Sequence, residues 1–481
     1  MIKNKCFSTL CLLWIGVFLL TGCGAQPPAA SGESDPAATT TAFTASSENT
    51  DSTAETQASL SAESTSESAT AVGTTADSAK TTTAPDTTTA QNTVSTTLPP
   101  APPPTTEAQL PIGERQNAQY KYEVYPDYVD ITEYIGSDAA VNIPSKIDGL
   151  PVTALGSHAF TEKDIVEVTI PSSVRAIGSQ TFAGCKKLTT VHLPGTPLSL
   201  SLKSFASTPW AAALTEEFAV RGNILMKYNG TAQNVTIPNG VKGIAAGFMT
   251  GKTADTVTVP DSVTLLSDFA FSSSKIRKVV LPKALTSIPD YAFEGAAVEE
   301  VRLPSGLKSI GTQAFAACEK LKKLDIPDSV TWLGLSPFRQ SDIEFLRIPD
   351  KASGWENAYF ESGITTFHLP NHATVIPETA FSWCVNLKKV TVPSRVQSIL
   401  TYAFANCSKL ETVVLEAGVK TIAESAFTDC TSLKDVTIPA TVNTIAETAF
   451  ANCPKSLRIH GKTGSAAEQY AKKQGFTFVS E

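Results

Sequence analysis

The sequence has little of what marks a membrane-spanning or metal-binding protein. Its N-terminal apolar run, Phe7 to Leu20, has fourteen residues, whereas a helix that crosses a bilayer needs about 20. Only five histidines occur among 481 residues. His368 and His372 are spaced like a helical metal pair, but Pro370 lies between them at a predicted strand end. We therefore expect no membrane-spanning helix and no metal site.

Catalytic motifs are also missing. The sequence has no Gly-x-Ser-x-Gly nucleophile motif. Gly251-Lys252-Thr253 ends like a phosphate-binding loop, but Ala246 stands where that loop requires a glycine, and Gly461-Lys462-Thr463 fails likewise at Ser456. No Cys-x-x-Cys pair occurs, which argues against zinc. The sequence thus predicts a protein that is not an enzyme, with no catalytic residue, metal or cofactor.

Positive charge is scarce where a nucleic-acid-binding surface would need it. The formal net charge is -8. Residues 24–112 contain ten acids and one base, Lys80, whereas residues 113–481 are close to neutral. Proteins that bind nucleic acid through its phosphates usually have a basic surface. We therefore expect no nucleic-acid partner.

Residues 24–112 lack the apolar side chains that a folded core requires. They are rich in serine, threonine, alanine and proline, and Phe43 is their one aromatic residue. Such a segment cannot bury enough apolar surface to offset the entropy lost on ordering. We predict a disordered stalk that lifts the C-terminal part off the membrane, with a passive tether as the alternative. Its hydroxyl density would also permit O-glycosylation.

The N-terminus has the pattern of an export signal. Lys3 and Lys5 precede the apolar run, as in secretory signal peptides. The run closes with Leu20-Thr21-Gly22-Cys23, which resembles the lipobox of bacterial lipoproteins. The resemblance implies that residues 1–23 are a lipoprotein signal peptide and that lipidated Cys23 anchors the protein on the extracellular face of the cell membrane. The alternative is an ordinary cleaved signal with an incidental cysteine.

The C-terminal part has a repeat of about 22 to 23 residues. Each unit has a hydrophobic strand, often closed by proline, and a later segment ending in Ala-Phe, as in Val436–Pro439 followed by Thr448–Phe450. Units this short cannot bury an apolar face alone, so neighbours must stack and share one core. The thirteen predicted anchors are Phe160, Phe182, Phe205, Phe248, Phe271, Phe293, Phe315, Phe338, Phe360, Phe381, Phe404, Phe427 and Phe450.

Alternation within each unit predicts a parallel β ladder. Val390 and Val392 point inward, whereas Lys389 and Thr391 point outward. We predict an α/β-type solenoid of 13 units over residues 113–456 with strands opening it at 120–143, and a strand-helix-strand cap over 457–481. The cap helix should begin with a capping box from Ser465 to Glu468.

One insertion of about 21 residues interrupts the repeat at about 208–233. Phe218–Arg221 and Ile224–Tyr228, joined by Gly222-Asn223, have the pattern of a hairpin with a two-residue turn. We interpret this hairpin as a packing flap that repairs a break in the stack. Contact with a partner is the alternative.

Six cysteines share one position, three residues after an anchor: Cys185, Cys318, Cys384, Cys407, Cys430 and Cys453. Because these cysteines occupy the same position in their units, we predict that they form a single column inside the coil. A free cysteine packs there as a small apolar side chain. Disulfides between stacked neighbours, such as Cys384 with Cys407, are the alternative.

The unit pattern Leu-x-x-Val-x-Ile-Pro-x-x-Val-x-x-Ile-Gly-x-x-Ala-Phe-x-x-Cys resembles the BspA-type bacterial leucine-rich repeat. Val301–Cys318 and Leu410–Cys430 match it well, and the resemblance extends over about 120–481. Residues 337–360 lack its glycine and cysteine. The resemblance implies a surface protein that adheres to host or neighbouring-cell macromolecules. A glycan-binding module for polysaccharide capture and a structural role in the envelope remain open alternatives.

Candidate ligand contacts lie on the outward rows of the strands, where the middle units carry the largest side chains. Aromatic and arginine side chains are favoured at protein interfaces. We predict a binding site for an extracellular protein or glycan on a monomeric solenoid, formed by Phe345, Arg347, Arg302, Lys323 and His368.

Overall fold

The structure is a computed structural model that describes residues 110–481. These residues form the predicted solenoid, with a parallel β ladder and little helix. The predicted signal peptide, the lipidation site Cys23 and all but the last few residues of the predicted stalk lie outside the described residues.

Six strands open the solenoid: β1 Gly113–Gln116, β2 Tyr120–Val124, β3 Val129–Tyr134, β4 Ala140–Asn142, β5 Lys146–Ile147 and β6 Leu150–Leu155. The strands β1, β2 and β3 pair antiparallel, and β3 then pairs in parallel with β6. Their inward residues are buried, so this group covers the first coil as the alternating pattern predicts.

The coils contain the remaining strands. Up to the inserted hairpin these are β7 Glu167–Thr169, β8 Ala176–Ile177 and β9 Thr190–His192, followed by the hairpin strands β10 Phe218–Arg221 and β11 Ile224–Tyr228. Beyond the hairpin they are β12 Asn234–Thr236, β13 Gly243–Ile244, β14 Thr253–Thr258, β15 Leu265–Leu266, β16 Lys275–Val280, β17 Ser287–Ile288, β18 Glu300–Arg302, β19 Ser309–Ile310, β20 Trp332–Leu333, β21 Phe345–Arg347, β22 Thr366–His368, β23 Val375–Ile376, β24 Lys389–Val392, β25 Ser398–Ile399, β26 Thr412–Leu415, β27 Thr421–Ile422, β28 Asp435–Thr437, β29 Thr444–Ile445, β30 Arg458–Gly461 and β31 Thr477–Ser480.

Each regular coil contributes one strand to each of two parallel ladders. The longer strands form the front ladder, in the segments β4-β7-β9, β12-β14-β16-β18, β21-β22 and β24-β26-β28-β30-β31. Two-residue strands dominate the rear ladder, which includes β11-β13-β15, β17-β19-β20 and β23-β25-β27-β29. A third side, here called the turn flank, consists of the residues within four positions of each anchor.

The anchor rings form a stacked column inside the coils. The centroid of Phe427 lies 5.1 Å from that of Phe404 and 5.0 Å from that of Phe450, with the planes nearly parallel. One predicted anchor is wrong. Tyr359 is fully buried and stacks on Phe381 at 4.6 Å, whereas Phe360 is only half-buried. The Ala-aromatic pair of this coil is therefore Ala358-Tyr359, and Tyr359 takes the anchor position.

The predicted hairpin is present, and it becomes part of the stack. The strands β10 and β11 pair antiparallel around Gly222-Asn223, and β11 then pairs in parallel with β13 of the rear ladder. Ile224 and Met226 belong to the core of the preceding coils, whereas Leu225 and Tyr228 belong to the core that follows. The hairpin is therefore a packing element that joins two hydrophobic cores, as the favoured interpretation predicts.

Helical structure in residues 110–481 is limited to α1 Pro209–Ala212, α2 Ala466–Gln474 and 3₁₀ turns at Leu202–Phe205 and Trp355–Asn357. The helix α2 lies between β30 and β31, which gives the expected strand-helix-strand order. Its start differs from the predicted capping box, because Ser465 makes no capping hydrogen bond. Instead, Glu468 accepts from the backbone N–H of Gly464 at 2.6 Å. Gly475 ends the helix with φ 73°.

The six cysteines of residues 110–481 are free and buried. Each thiol donates to a backbone carbonyl of the preceding coil, at 2.9 Å from Cys384 Sγ to Tyr359 O and 3.2 Å from Cys407 Sγ to Phe381 O. Burial raises the pKa of the Cys384 thiol to about 12. The column therefore consists of protonated, hydrogen-bonded thiols, in agreement with the favoured prediction.

Candidate functional site

The five predicted ligand-binding residues lie on the front ladder. Strand register pairs Val280 with Arg302 and Arg347 with His368. Lys323 forms an isolated bridge with Phe345. Their side chains all point away from the core, because the residues between them, such as Leu346, are buried. We call the surface formed by Arg302, Lys323, Phe345, Arg347 and His368 the central face.

The central face coincides with a break in the front ladder. The segment β12-β14-β16-β18 ends at Arg302, and the next coil keeps only the bridge at Lys323 before β21 begins. Beside this break, Leu324, Asp325, Ile326, Phe345 and Arg347 line a depression of about 180 Å³. Phe345, which lines this depression, is 46% exposed. A concave, partly apolar spot flanked by arginine is therefore open to solvent here.

The charges of the central face are paired with acids at the surface. Arg302 Nε lies 2.6 Å from Glu300, Arg347 Nη1 lies 2.7 Å from Asp328, and Lys323 Nζ lies 3.1 Å from Asp325. Hydrogen bonds from Arg302 and Lys278 lower the pKa of Glu300, which keeps it ionised. Exposed pairs of this kind contribute only about 0–1 kcal/mol. A partner with its own carboxylates can therefore replace these acids at little cost.

The two closely spaced histidines do not form a pair. His368 is exposed on β22, whereas His372 Nδ1 lies 2.8 Å from the backbone oxygen of Asp350. Among residues 110–481, no group of three potential metal-ligating side chains is close enough to hold an ion. In the same part of the chain, the helices are all too short or too polar to cross a bilayer.

Sequence reasoning missed a set of exposed side chains on the turn flank. Phe269, Trp383 and Tyr402 project there with 41%, 51% and 46% of their surface exposed. They occupy positions two residues before or after an anchor, where other coils carry mostly small or polar residues. Comparing units at these two positions, rather than along the outward strand rows alone, would have revealed them.

The stacked parallel ladders and the anchor column define the class of protein: a leucine-rich repeat solenoid. A family model described as the BspA type leucine rich repeat region, with six copies, matches residues 153–263, 243–363 and 355–463. Since these matches extend over more than half of the chain, the protein belongs to the BspA-type leucine-rich repeat family. A comparison with curated protein sequences finds no match.

Solved structures of bacterial repeat proteins are similar to this chain. A leucine-rich repeat protein from Bacteroides ovatus is 21% identical, with coverage of 76% of this chain and 99% of that one and a TM-score of 0.41. A leucine rich cell surface protein from Faecalibacterium prausnitzii is 21% identical, with coverage of 77% and 98% and a TM-score of 0.33.

The pneumococcal vaccine antigen PcpA is 15% identical, with coverage of 77% of this chain and 98% of that one and a TM-score of 0.30. At such TM-scores the superpositions carry no argument of their own. The fold is established by the strand pairing and by the family match.

Proposed function

We propose that this protein is a bacterial surface protein held by a lipid on Cys23, and that its solenoid binds extracellular macromolecules without catalysing a reaction. The lipobox-like Leu20–Cys23 supports the anchor. The names of similar proteins, a cell surface protein and a vaccine antigen, are in keeping with surface display.

The central face is the proposed recognition site, and an extracellular protein is the proposed partner. The observation that carries this proposal is the exposed Phe345 beside Arg347 at the break in the front ladder. Aromatic and arginine side chains are typical centres of protein interfaces. An aromatic ring buries much area and loses little entropy, and a guanidinium can form paired hydrogen bonds with a carboxylate.

The partner must also contact neighbouring coils. Arg302 and His368 are three coil steps apart, and at about 4.8 Å per step this distance is about 15 Å. A stable interface buries about 800 Å² on each partner. The central face is therefore the middle of a larger contact area that continues along the front ladder.

A double substitution tests the site. Phe345→Ala with Arg347→Glu removes the aromatic anchor and reverses the charge beside it. Binding of an extracellular protein captured by purified residues 113–481 should weaken about tenfold or more, which corresponds to about 1.4 kcal/mol. The matched control is Lys389→Ala with Thr391→Glu, which changes β24 in the same two rows of the same ladder. Equal binding by both double variants would reject the central face.

The anchor is tested separately. Cys23→Ala removes the only atom to which the proposed lipid would be attached at this site, so the protein should appear in the culture medium. Retention of this variant in the membrane fraction, at the level of the unchanged protein, would reject lipid anchoring at Cys23.

A further inference from the structure

The turn flank carries most of the large apolar side chains that residues 110–481 expose. Six of the ten such side chains lie within four positions of an anchor: Phe269, Leu335, Trp383, Val385, Leu400 and Tyr402. Four of them belong to two successive coils, those anchored by Phe381 and Phe404. These four, Trp383, Val385, Leu400 and Tyr402, are called the flank patch. The patch is on a different side of the coil from the central face.

The backbone does not account for the two aromatic residues of the flank patch. Trp383 has φ 64° and Tyr402 has φ 57°. Bulky side chains rarely adopt this left-handed conformation, because their Cβ crowds the neighbouring carbonyl oxygen. Both positions have positive φ in most coils, so the conformation belongs to the repeat. Small or polar residues usually occupy them: two later coils carry Asn406 and Asn452 at the position of Trp383, and the next coil carries Ser425 at the position of Tyr402.

Burial does not account for them either. The side chains of Trp383 and Tyr402 are 51% and 46% exposed. Two aromatic rings exposed on adjacent coils, at positions where most coils carry small or polar residues, point to contact with a ligand.

The polar residues around the flank patch indicate which ligand it suits. On the turn flanks of the two coils, Thr379, Thr401 and Asn406 are half-buried and offer hydroxyl and amide groups. Glu378 is the charged side chain of these flanks, and Glu424 follows on the next coil. Arginine is absent from residues 377–385 and 400–408. The surface therefore opposes an anionic ligand and supplies groups that bond to hydroxyls.

We propose that the flank patch binds a neutral saccharide chain. The C–H face of a pyranose is apolar and packs on the flat face of an exposed aromatic ring, while its ring hydroxyls bond to polar groups at the rim. Repeated sugar units along a polysaccharide can contact rings on successive coils. This saccharide site is separate from the proposed protein-binding central face. Rejection of either site therefore leaves the other proposal unaffected.

Tryptophan fluorescence reports directly on this site. Within residues 110–481, Trp210 and Trp355 are buried and Trp332 is half-buried, so Trp383 is the most exposed indole. The full chain is titrated with cellohexaose, maltohexaose, xylohexaose and mannohexaose, and with an oligogalacturonate as the anionic comparison. At least one neutral hexasaccharide should shift the emission to shorter wavelength, whereas the oligogalacturonate should not.

Variants taken from neighbouring coils separate binding from folding. Trp383→Asn and Tyr402→Ser introduce the residues found at the same positions of later coils, so the melting temperature should be unchanged or higher. Each should weaken saccharide binding at least tenfold. Binding by Trp383→Asn is measured by calorimetry, because this variant lacks the indole whose fluorescence reports on the site. Phe345→Ala with Arg347→Glu should leave saccharide binding unchanged.

Three results would overturn the proposal. The first is an emission spectrum that no neutral hexasaccharide changes. The second is full saccharide binding by Trp383→Asn together with Tyr402→Ser. The third is loss of adherence to protein-coated surfaces by that double variant, with no competition from the saccharides, which would assign the flank patch to a protein partner.

Discussion

Most anchor aromatics contact two neighbouring rings, one in the coil before and one in the coil after. Phe404, Phe427 and Phe450 show this arrangement with centroid spacings of 5.1 and 5.0 Å. The rings are fully buried or nearly so. Loss of one ring removes contacts in three coils at once, so the stack is most sensitive at these positions.

Substitutions at Tyr359 and Phe360 test directly which of the two residues is the anchor of the coil at 345–365. Tyr359→Ala should destabilise the protein by about 3–5 kcal/mol, because it opens a cavity in the column. Phe360→Ala should cost much less, since that side chain is only half-buried. Urea denaturation of the two variants provides the comparison. A larger loss for Phe360→Ala would contradict the assignment.

The buried thiols predict a dependence of stability on alkaline pH. The folded-state pKa of Cys384 is about 12, against an ordinary value of 9.0, because burial disfavours the thiolate. Between these values the unfolded chain loses the proton first. Stability should therefore be unaffected below pH 9 and should fall as the pH rises towards 12, by up to about 1.4 kcal/mol per pH unit for each such thiol.

Thiol titration and denaturation at several pH values check this prediction. The six column cysteines should react with a thiol reagent only after unfolding, and Cys384→Ala should make the pH dependence less steep. Rapid reaction of these thiols in the folded protein at neutral pH would contradict it.

At the residue scale, the sequence predicts where the buried side chains of a unit lie better than it predicts which residue fills each of these places. The column of cysteines and twelve of the thirteen anchors follow from equal spacing. The exception, Phe360, arises because tyrosine fills the same place as phenylalanine and the adjacent residue has the expected identity. Trp383 and Tyr402 were not predicted, because nothing in the hydrophobic pattern shows which turn residues remain exposed.

At the scale of elements, the hairpin turn is the most constrained connection. Gly222 has φ 54° and Asn223 has φ 68°, as a two-residue turn of this hand requires. A Cβ on Gly222 would lie 2.7 Å from the Cβ of Leu193. Both the conformation and the available space therefore favour glycine at this position.

Gly222→Ala should be clearly destabilising. The left-handed conformation alone costs a non-glycine residue about 1–2 kcal/mol, and the contact with Leu193 adds to it. Asn223→Gly is the matched control and should be close to neutral, because glycine adopts the same conformation freely. Thermal unfolding measures both variants, and equal melting temperatures would contradict the turn assignment.

The hairpin itself could be predicted from Gly222-Asn223 and the flanking apolar residues, but its pairing with β13 could not. Ile224-Leu225-Met226 is buried throughout. A strand that is apolar on both faces lies between two layers, yet the sequence does not say which layers. Only the structure shows that it joins two cores. The break in the front ladder at Lys323 could not be predicted either, because Leu321–Pro327 follows the repeat pattern.

At the scale of the whole molecule, function depends on which outward rows the stack presents together. The two rows of the front ladder follow from alternation and register alone, so the central face could be assembled from the sequence. The depression beside Phe345 could not, because it results from a local loss of strand pairing. The coils that carry both features share one hydrophobic core.

The most direct test of the central face is site-specific photo-crosslinking on cells that display the protein. A photoreactive phenylalanine analogue is placed at Phe345 and, in separate variants, at Thr391 and Thr437, which lie in the outward rows of regular coils. A crosslinked extracellular protein is expected from position 345 at much higher yield than from the other two. Crosslinks from Thr391 or Thr437 with none from position 345 would contradict it.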